Sequence, residues 1–248
     1  MTLEILSDKN KKWINAAGTA GYSPTKNLVE KFPDIGLFVT NPVSYNPRNP
    51  AKERCLLSFE GGFLVNNGFP CPGFRRILKS NQIKWENANL PICVSLLSDE
   101  PNYIEKIVRS VEIIDNIVAI ELNLDPSLKF EDFQTFIKSA LGELPIILSV
   151  PYEIVFMDWI EDLLEPEIFA VSVQAPRGLI LNNLKNVYGR MFGPSMLPLS
   201  LRAINHLSQL DKSIIAGVGA LSNEDIQMIF QAGAQYFQPH ELIWRNYN

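Results

Sequence analysis

Short runs of consecutive apolar residues recur along the chain, each followed by turn residues and, in most cases, by a stretch whose apolar positions fall three and four apart. The runs cover 13–17, 36–40, 91–97, 117–123, 145–150, 168–173, 213–218 and 234–238, eight in all. Being short and apolar on both faces, they predict strands of a parallel sheet covered on both sides. The stretches 28–32, 74–79, 103–113, 130–141, 155–164, 200–210 and 225–232 predict helices between them. In the third, Ile104, Ile107, Val108 and Val111 stand at i, i+3, i+4 and i+7, one face of a helix.

Eight strands alternating with helices in 248 residues predict an α/β fold, a (βα)8 TIM barrel forming a single domain over 1–248. In such a barrel the functional groups sit on loops at the carboxyl ends of the strands. An insertion at 41–72 holds apolar stretches at 54–59 and 63–65 around Glu60-Gly61-Gly62, which predicts a β-hairpin after the second strand, over the functional end. After the last strand only 239–248 remain, a shortened eighth helix with Pro239 as its first residue and Glu241 in its first turn. That tail offers Leu242, Ile243, Trp244 and Tyr247 as apolar cover. The seam around Trp13, Phe237 and Trp244 is therefore expected to be covered by a protein partner or by a second copy in a homo-oligomer.

Composition then removes several alternatives. With 46% hydrophobic and 20% charged residues the chain lies in the ordinary globular range. Lys and Arg number 22 against 27 Asp and Glu, a net charge of −5, and no basic tract exceeds Lys11-Lys12 or Arg75-Arg76, so no nucleic-acid footprint is expected. Cys55, Cys71 and Cys93 form no Cys-x-x-Cys pair, which argues against a disulfide framework and a zinc site, and no metal is expected. Met1 to Asp8 lack a basic segment followed by an apolar one. No apolar run approaches the roughly 18 residues of a membrane span, and a cytoplasmic protein is expected.

Several stretches, in order, carry more specific information. They are Asn15-Ala16-Ala17-Gly18-Thr19-Ala20-Gly21-Tyr22 after the first strand, Tyr45-Asn46-Pro47-Arg48-Asn49-Pro50 after the second, and Asn66-Asn67-Gly68-Phe69-Pro70-Cys71-Pro72-Gly73 in the insertion. Ala119-Ile120-Glu121-Leu122-Asn123, Gly193-Pro194-Ser195 and the stretch from Ile214 through Gly217-Val218-Gly219-Ala220 to Ala234 complete the series. Taken together and in this order they resemble the dihydroorotate dehydrogenase family of FMN-dependent barrels, over nearly the whole chain. The resemblance implies FMN as cofactor and oxidation of dihydroorotate to orotate in pyrimidine synthesis. It places Ala17, Gly18, Gly217 and Gly219 on the flavin, and Asn66, Asn67 and Asn123 on a small-molecule substrate. Gly217 to Ala220, leading to Ser222 as N-cap, would supply half of a phosphate cradle, because backbone N–H groups at a glycine turn before a helix favour an anion.

The departures from the family pattern fall at the chemistry. Its flavin-facing lysines fall on Asn41 and Ser149, its Gly-Gly before Gly-Pro reads Gly189-Arg190, and the Gly-Thr completing the phosphate cradle falls on His240 and Glu241. The loop carrying the catalytic base is replaced by Leu124 to Lys129 leading straight into a helix, so no catalytic residue is assigned. Bland readings stand beside these: Gly217 and Gly219 as a tight turn, Asn123 as a turn starter, Cys71 as an inert thiol rather than a nucleophile, His206 as a solvated helix residue. Arg48, Arg54, Arg177 and Arg190 are loop cations at the functional end, for which exposed ion pairs are the default. In the absence of FMN, Arg190 and Glu241 are expected to pair across the phosphate space. Two readings follow: a dihydroorotate dehydrogenase-like flavin oxidoreductase, or a homologous barrel without catalysis that acts as a binding or assembly subunit.

Overall fold

The computed structural model describes residues 11–52, 55–97, 100–164 and 166–246. The amino-terminal residues read above, Arg54 and Tyr247 lie outside them. In chain order the elements are β1 (Trp13–Ile14), α1 (Lys26–Lys31), β2 (Ile35–Val39), β3 (Cys55–Phe59), β4 (Gly62–Asn66), α2 (Phe74–Glu86), β5 (Ile92–Leu97), α3 (Pro101–Val111), β6 (Ile117–Asn123) and α4 (Phe130–Ala140). There follow β7 (Ile146–Val150), β8 (Ile168–Val173), β9 (Arg177–Asn182), β10 (Lys185–Phe192), α5 (Leu197–Leu207), β11 (Ser213–Ala216), α6 (Asn223–Gln231), β12 (Tyr236–Phe237) and α7 (Glu241–Asn246). Eight strands, β1-β2-β5-β6-β7-β8-β11-β12, close into a parallel barrel, as the apolar runs predict.

Alternation along the strands fills the barrel in layers. Ile14, Leu37, Val39, Cys93, Ala119, Ile147, Ala170 and Ile215 form an apolar layer. Two residues further along four of these strands, nearer the mouth, lie Ser95, Glu121, Ser149 and Ser172, all buried. Strand β1 is shorter than its apolar run because the Asn15 amide takes over the ladder, donating to Val39 O at 2.7 Å and accepting from Val39 N at 2.8 Å. Outside the barrel Ile104, Ile107, Val108 and Val111 turn inward from α3, the face read from their spacing.

Two elements differ from expectation. The stretch 155–164 is not an α-helix but a succession of i+3 turns, with Val155 N on Tyr152 O, Ile160 N on Met157 O and Leu163 N on Ile160 O, ending in a 3₁₀ turn at Glu161–Leu163. Ile154, Ile160 and Leu163 are buried along it, while Met157, in the same three-residue register, is exposed. The second difference is an additional hairpin, β9–β10, which pairs with the expected one to give a four-stranded sheet in the order β3-β4-β10-β9. Its turn holds Asn183 and Leu184 at φ 49° and 64°, the left-handed pair that a two-residue hairpin turn needs.

The small sheet also alters the seam. Phe63 of β4 and Phe192 of β10 meet Trp244 of α7 at ring-centroid distances of 6.0 and 4.8 Å. Below them Ile243 is fully buried, and Trp13 packs on Phe32 and Phe237. The short helix is thus capped in part by aromatic rings from the second sheet, while Trp13 and Trp244 remain partly exposed. Exposed large apolar side chains lie instead on β9–β10, at Leu179, Leu181, Leu184 and Tyr188, and at Leu56 of β3.

Candidate ligand site at the barrel mouth

Glu241, the first residue of α7, is 5% exposed and turned inward over the ends of the strands. Its Oε1 accepts from Gly193 N and from Gly219 N, each at 2.9 Å. Both glycines have positive φ, 115° and 88°, and the backbone leaves no room for a side chain there: a Cβ on Gly219 would lie 2.4 Å from Leu197 N. Two N–H groups converging on one oxygen make an anion site, and here the anion is the chain's own carboxylate. Burial raises the Glu241 pKa, while the backbone donors act against that shift. Arg190 forms no ion pair with Glu241 among the described residues, so the expected pair across this space is not made.

Around this anchor the mouth above β8 and β11 is closed by an apolar group of Ala175, Phe192, Met196 and Val218. His240 packs within it, 5.6 Å from the Phe192 ring, and its ring Nδ1 faces Gln238 O at 3.1 Å. Burial first, then the nearby Arg190 charge, push its pKa down to about 3, so the imidazole is neutral.

The open part of the mouth lies toward β6 and β7, beneath the small sheet. A cleft of about 680 Å³ is lined by Asn66, Asn67, Phe69, Arg48, Arg177 and Arg190 among others. A second space of about 50 Å³, sharing Arg48, Phe69 and Arg177, reaches Asn123 and Gln174. Arg190 lies 4.4 Å from the centre of the Phe69 ring and 5.7 Å from that of Phe192. Burial, then the neighbouring Arg177 charge, lower its pKa to about 10.

Beneath the mouth, Glu121 is 2% exposed. Its Oε1 accepts from Ser95 Oγ at 3.1 Å, and Ser95 Oγ in turn accepts from Asn123 Nδ2 at 2.7 Å. Desolvation lifts the Glu121 carboxyl to about 7, outweighing the hydrogen bonds from Ser95 and Asn123 that lower it. Glu121 has no role in the sequence reading; a lone carboxylate inside an apolar strand is the signal that marks it.

The expected site residues divide. Asn66 and Asn67 line the larger cleft and Asn123 the smaller, so the structure brings the three together. Asn123 has its amide hydrogens engaged, by Ser95 Oγ and by Leu96 O at 3.0 Å, which leaves its carbonyl oxygen for a ligand. Ala17, Gly18, Gly217 and Gly219 line neither space. Gly217 is demanded by packing, since a Cβ would lie 2.2 Å from Gln238 O. Of the lost lysine positions, Asn41 ties the loop after β1 by accepting from Gly21 N. Cys71 is buried with its Sγ accepting from Ser44 N and Gly73 N, an inert thiol, and His206 is exposed. Among the described residues no group of three His, Cys, Asp or Glu is placed to hold a metal ion, and no helix is long and apolar enough to cross a membrane.

No family model matches the chain. Curated relatives do. Dihydroorotate dehydrogenase A (fumarate) of Limosilactobacillus reuteri is 26% identical, with 91% of this chain and 81% of the relative covered. The putative dihydroorotate dehydrogenase A (fumarate) of Aquifex aeolicus is 24% identical over 93% and 82%. The catalytic subunit of dihydroorotate dehydrogenase B (NAD(+)) of Halalkalibacterium halodurans is 22% identical over 81% and 72%. Among solved structures, the dihydroorotate dehydrogenase of Eimeria tenella in complex with ferulenol superposes with a TM-score of 0.70 at 14% identity, over 94% of this chain and 76% of that one, which shows the shared barrel fold. The resemblance read from the motifs thus holds along most of the chain.

That resemblance implies FMN, and the residues present do not fit it in this arrangement. Of the glycines expected at the flavin phosphate, Gly219 already gives its N–H to the Glu241 side chain, which Gly193 N also holds. A phosphate brought there would have to displace that side chain from both N–H groups.

Proposed function

We propose that this chain is a divergent member of the dihydroorotate dehydrogenase family that keeps the barrel and the substrate end of the mouth but holds no FMN, and that it acts as a small-molecule binding protein. One observation carries the reading: Glu241 Oε1 sits on Gly193 N and Gly219 N at 2.9 Å, and Gly219 is a residue that the family resemblance puts on the flavin. The loss of lysines at Asn41 and Ser149 and of the loop that carries the catalytic base supports it from the sequence. The purified chain is expected to be colourless, and added FMN is expected to remain free on dialysis. A yellow protein that releases FMN on heating would overturn the reading.

A second reading is favoured by one feature. Asn66, Asn67 and Asn123 gather at the mouth as expected for a substrate like that in the relatives' names, dihydroorotate. On that reading the Glu241 side chain would have to leave Gly219 for FMN to be held there, and FMN, when bound, would supply the hydride acceptor for dihydroorotate. The same spectrum, taken before and after FMN addition, decides between the two. We also place the chain in the cytoplasm, in keeping with the free thiols of Cys55, Cys71 and Cys93. Self-association is proposed for the exposed Leu181 and Leu184 of the β9–β10 hairpin rather than for the partly covered seam. Sedimentation of the Leu181→Asp variant against the parent chain tests it, and unchanged association would exclude that face.

A further inference from the structure

Arg177 and Arg190 are register partners across β9 and β10, so two guanidiniums leave the same face of the sheet side by side. Like charges directly opposite on antiparallel strands repel, and such pairs are destabilising unless something lies between them. Neither side chain has a carboxylate partner among the described residues. Of the two acids lining the same cleft, Glu153 accepts from Arg177 N at 2.7 Å through Oε1 while its Oε2 is buried without a hydrogen-bond partner, and one Asp125 oxygen accepts from both Ser127 N and Ser127 Oγ. Arg190 lies over the Phe69 ring, 4.4 Å from its centre, a cation–π contact that does not neutralise its charge. Arg48 adds a third guanidinium to the lining.

From this arrangement we infer that the cleft between the small sheet and the ends of β6 and β7 is a binding site for a small organic anion, with Arg177 and Arg190 as the pair that receives its carboxylate or phosphate. Guanidiniums present forked N–H donors suited to the planar edge of either group. Asn66 and Asn67 provide amide groups for polar atoms beyond the anion, and Leu179 and Tyr188 provide apolar surface for its body. A volume of about 680 Å³ suits a ligand of metabolite size. An anion between the two arginines replaces a repulsion by two attractions. The inference rests on the small-molecule binding reading, whose ligand class it names, and not on the absence of FMN, since the cleft and the Glu241 anchor share no residue.

The test is thermal unfolding of the full chain in inorganic phosphate and in succinate, each against sodium chloride of equal ionic strength. Phosphate, succinate or both are expected to raise the Tm above the chloride value, and which of them does so separates phosphate from carboxylate recognition. Arg177→Gln and Arg190→Gln are each expected to weaken the effective anion without unfolding the chain, by about tenfold or more in the concentration required. Arg190→Lys is expected to keep part of the response. In chloride alone each Gln variant is expected to be at least as stable as the parent, because the repulsion is gone. Equal Tm values in all three salts would overturn the inference, as would an anion effect that survives both Gln substitutions. Failure here leaves the flavin question to the visible spectrum, which this measurement does not touch.

Discussion

Replacing Glu121 by Gln tests the electrostatics of the barrel interior through stability alone. Glu121 is almost wholly buried, and its carboxyl titrates near 7 in the folded chain against an ordinary value of 4.5. Between those two pH values the folded chain keeps a proton that the unfolded chain has released, so stability falls as pH rises. A difference of that size corresponds to about 3 kcal/mol lost by the time pH exceeds 7. His240 acts in the opposite sense, because its folded value near 3 lies below its ordinary 6.5, and stability falls as pH drops below 6.5. The two slopes oppose one another from 4.5 to 6.5, so the parent's own profile understates both. Gln cannot ionise, yet its carbonyl oxygen can still accept from Ser95 Oγ as Glu121 Oε1 does at 3.1 Å. Urea unfolding of parent and variant at a series of pH values isolates the carboxyl: the Glu121→Gln chain is expected to gain on the parent by about 3 kcal/mol between acid and alkaline ends. Two profiles that run parallel would refute the assignment of a raised pKa to Glu121.

Glu241→Ala strips the acceptor from two buried N–H groups and is expected to cost at least about 2 kcal/mol in urea unfolding, whereas Glu241→Gln, which keeps one carbonyl oxygen there, should cost clearly less. Equal losses would mean that the carboxylate is not what satisfies Gly193 and Gly219. Leu184→Gly, at a fully exposed position with φ 64° after Asn183, creates the Asn-Gly turn and is expected to stabilise by about 1 kcal/mol. A lower Tm in that variant would show that the hairpin turn relies on the leucine side chain.

The barrel was legible because its evidence is periodic. Each strand is a run of residues apolar on both faces and α3 is a stripe at i, i+3, i+4 and i+7, and neither pattern depends on distant parts of the chain. The misses are of another kind. Asn15 ends β1 early by pairing with Val39, 24 residues away, and nothing local marks an asparagine that will act as backbone. The stretch 155–164 has apolar residues at spacings that suit three residues per turn as well as 3.6, so only the packing of Ile160 and Leu163 selects the tighter form. The β9–β10 hairpin carried a readable signal in Asn182-Asn183 between alternating segments, but its consequence, a second sheet whose Phe63 and Phe192 cover Trp244, joins residues from two separate insertions. Asn66, Asn67 and Asn123 could be found because each belongs to a collinear motif. The pairing of Arg177 with Arg190 could not, because it rests on the register of that hairpin.

The departures at the mouth are physically coupled. Gly193 and Gly219 hold their N–H groups in a buried turn whose geometry is set by backbone contacts, so these donors remain whether or not a ligand is present. Buried donors without an acceptor cost about 1–3 kcal/mol each. A barrel that stops binding a phosphate therefore keeps a standing demand for an anion, and the least disruptive source is a carboxylate on the element already lying over the turn. Glu241 begins α7 and meets that demand, and its neighbour His240 fills adjacent space as a neutral ring packed on Phe192. On the proposed reading the replacement of a Gly-Thr pair by His240 and Glu241 is a single structural change, and the positions of the flavin-facing lysines, Asn41 and Ser149, would be freed with it. Arg177 and Arg190, which line the remaining cleft, belong to a different element, β9–β10, and as like charges in register they favour an anion between them. A filled anion site and an open one thus lie at the two sides of the same mouth, and the open one is where a ligand can still be recognised.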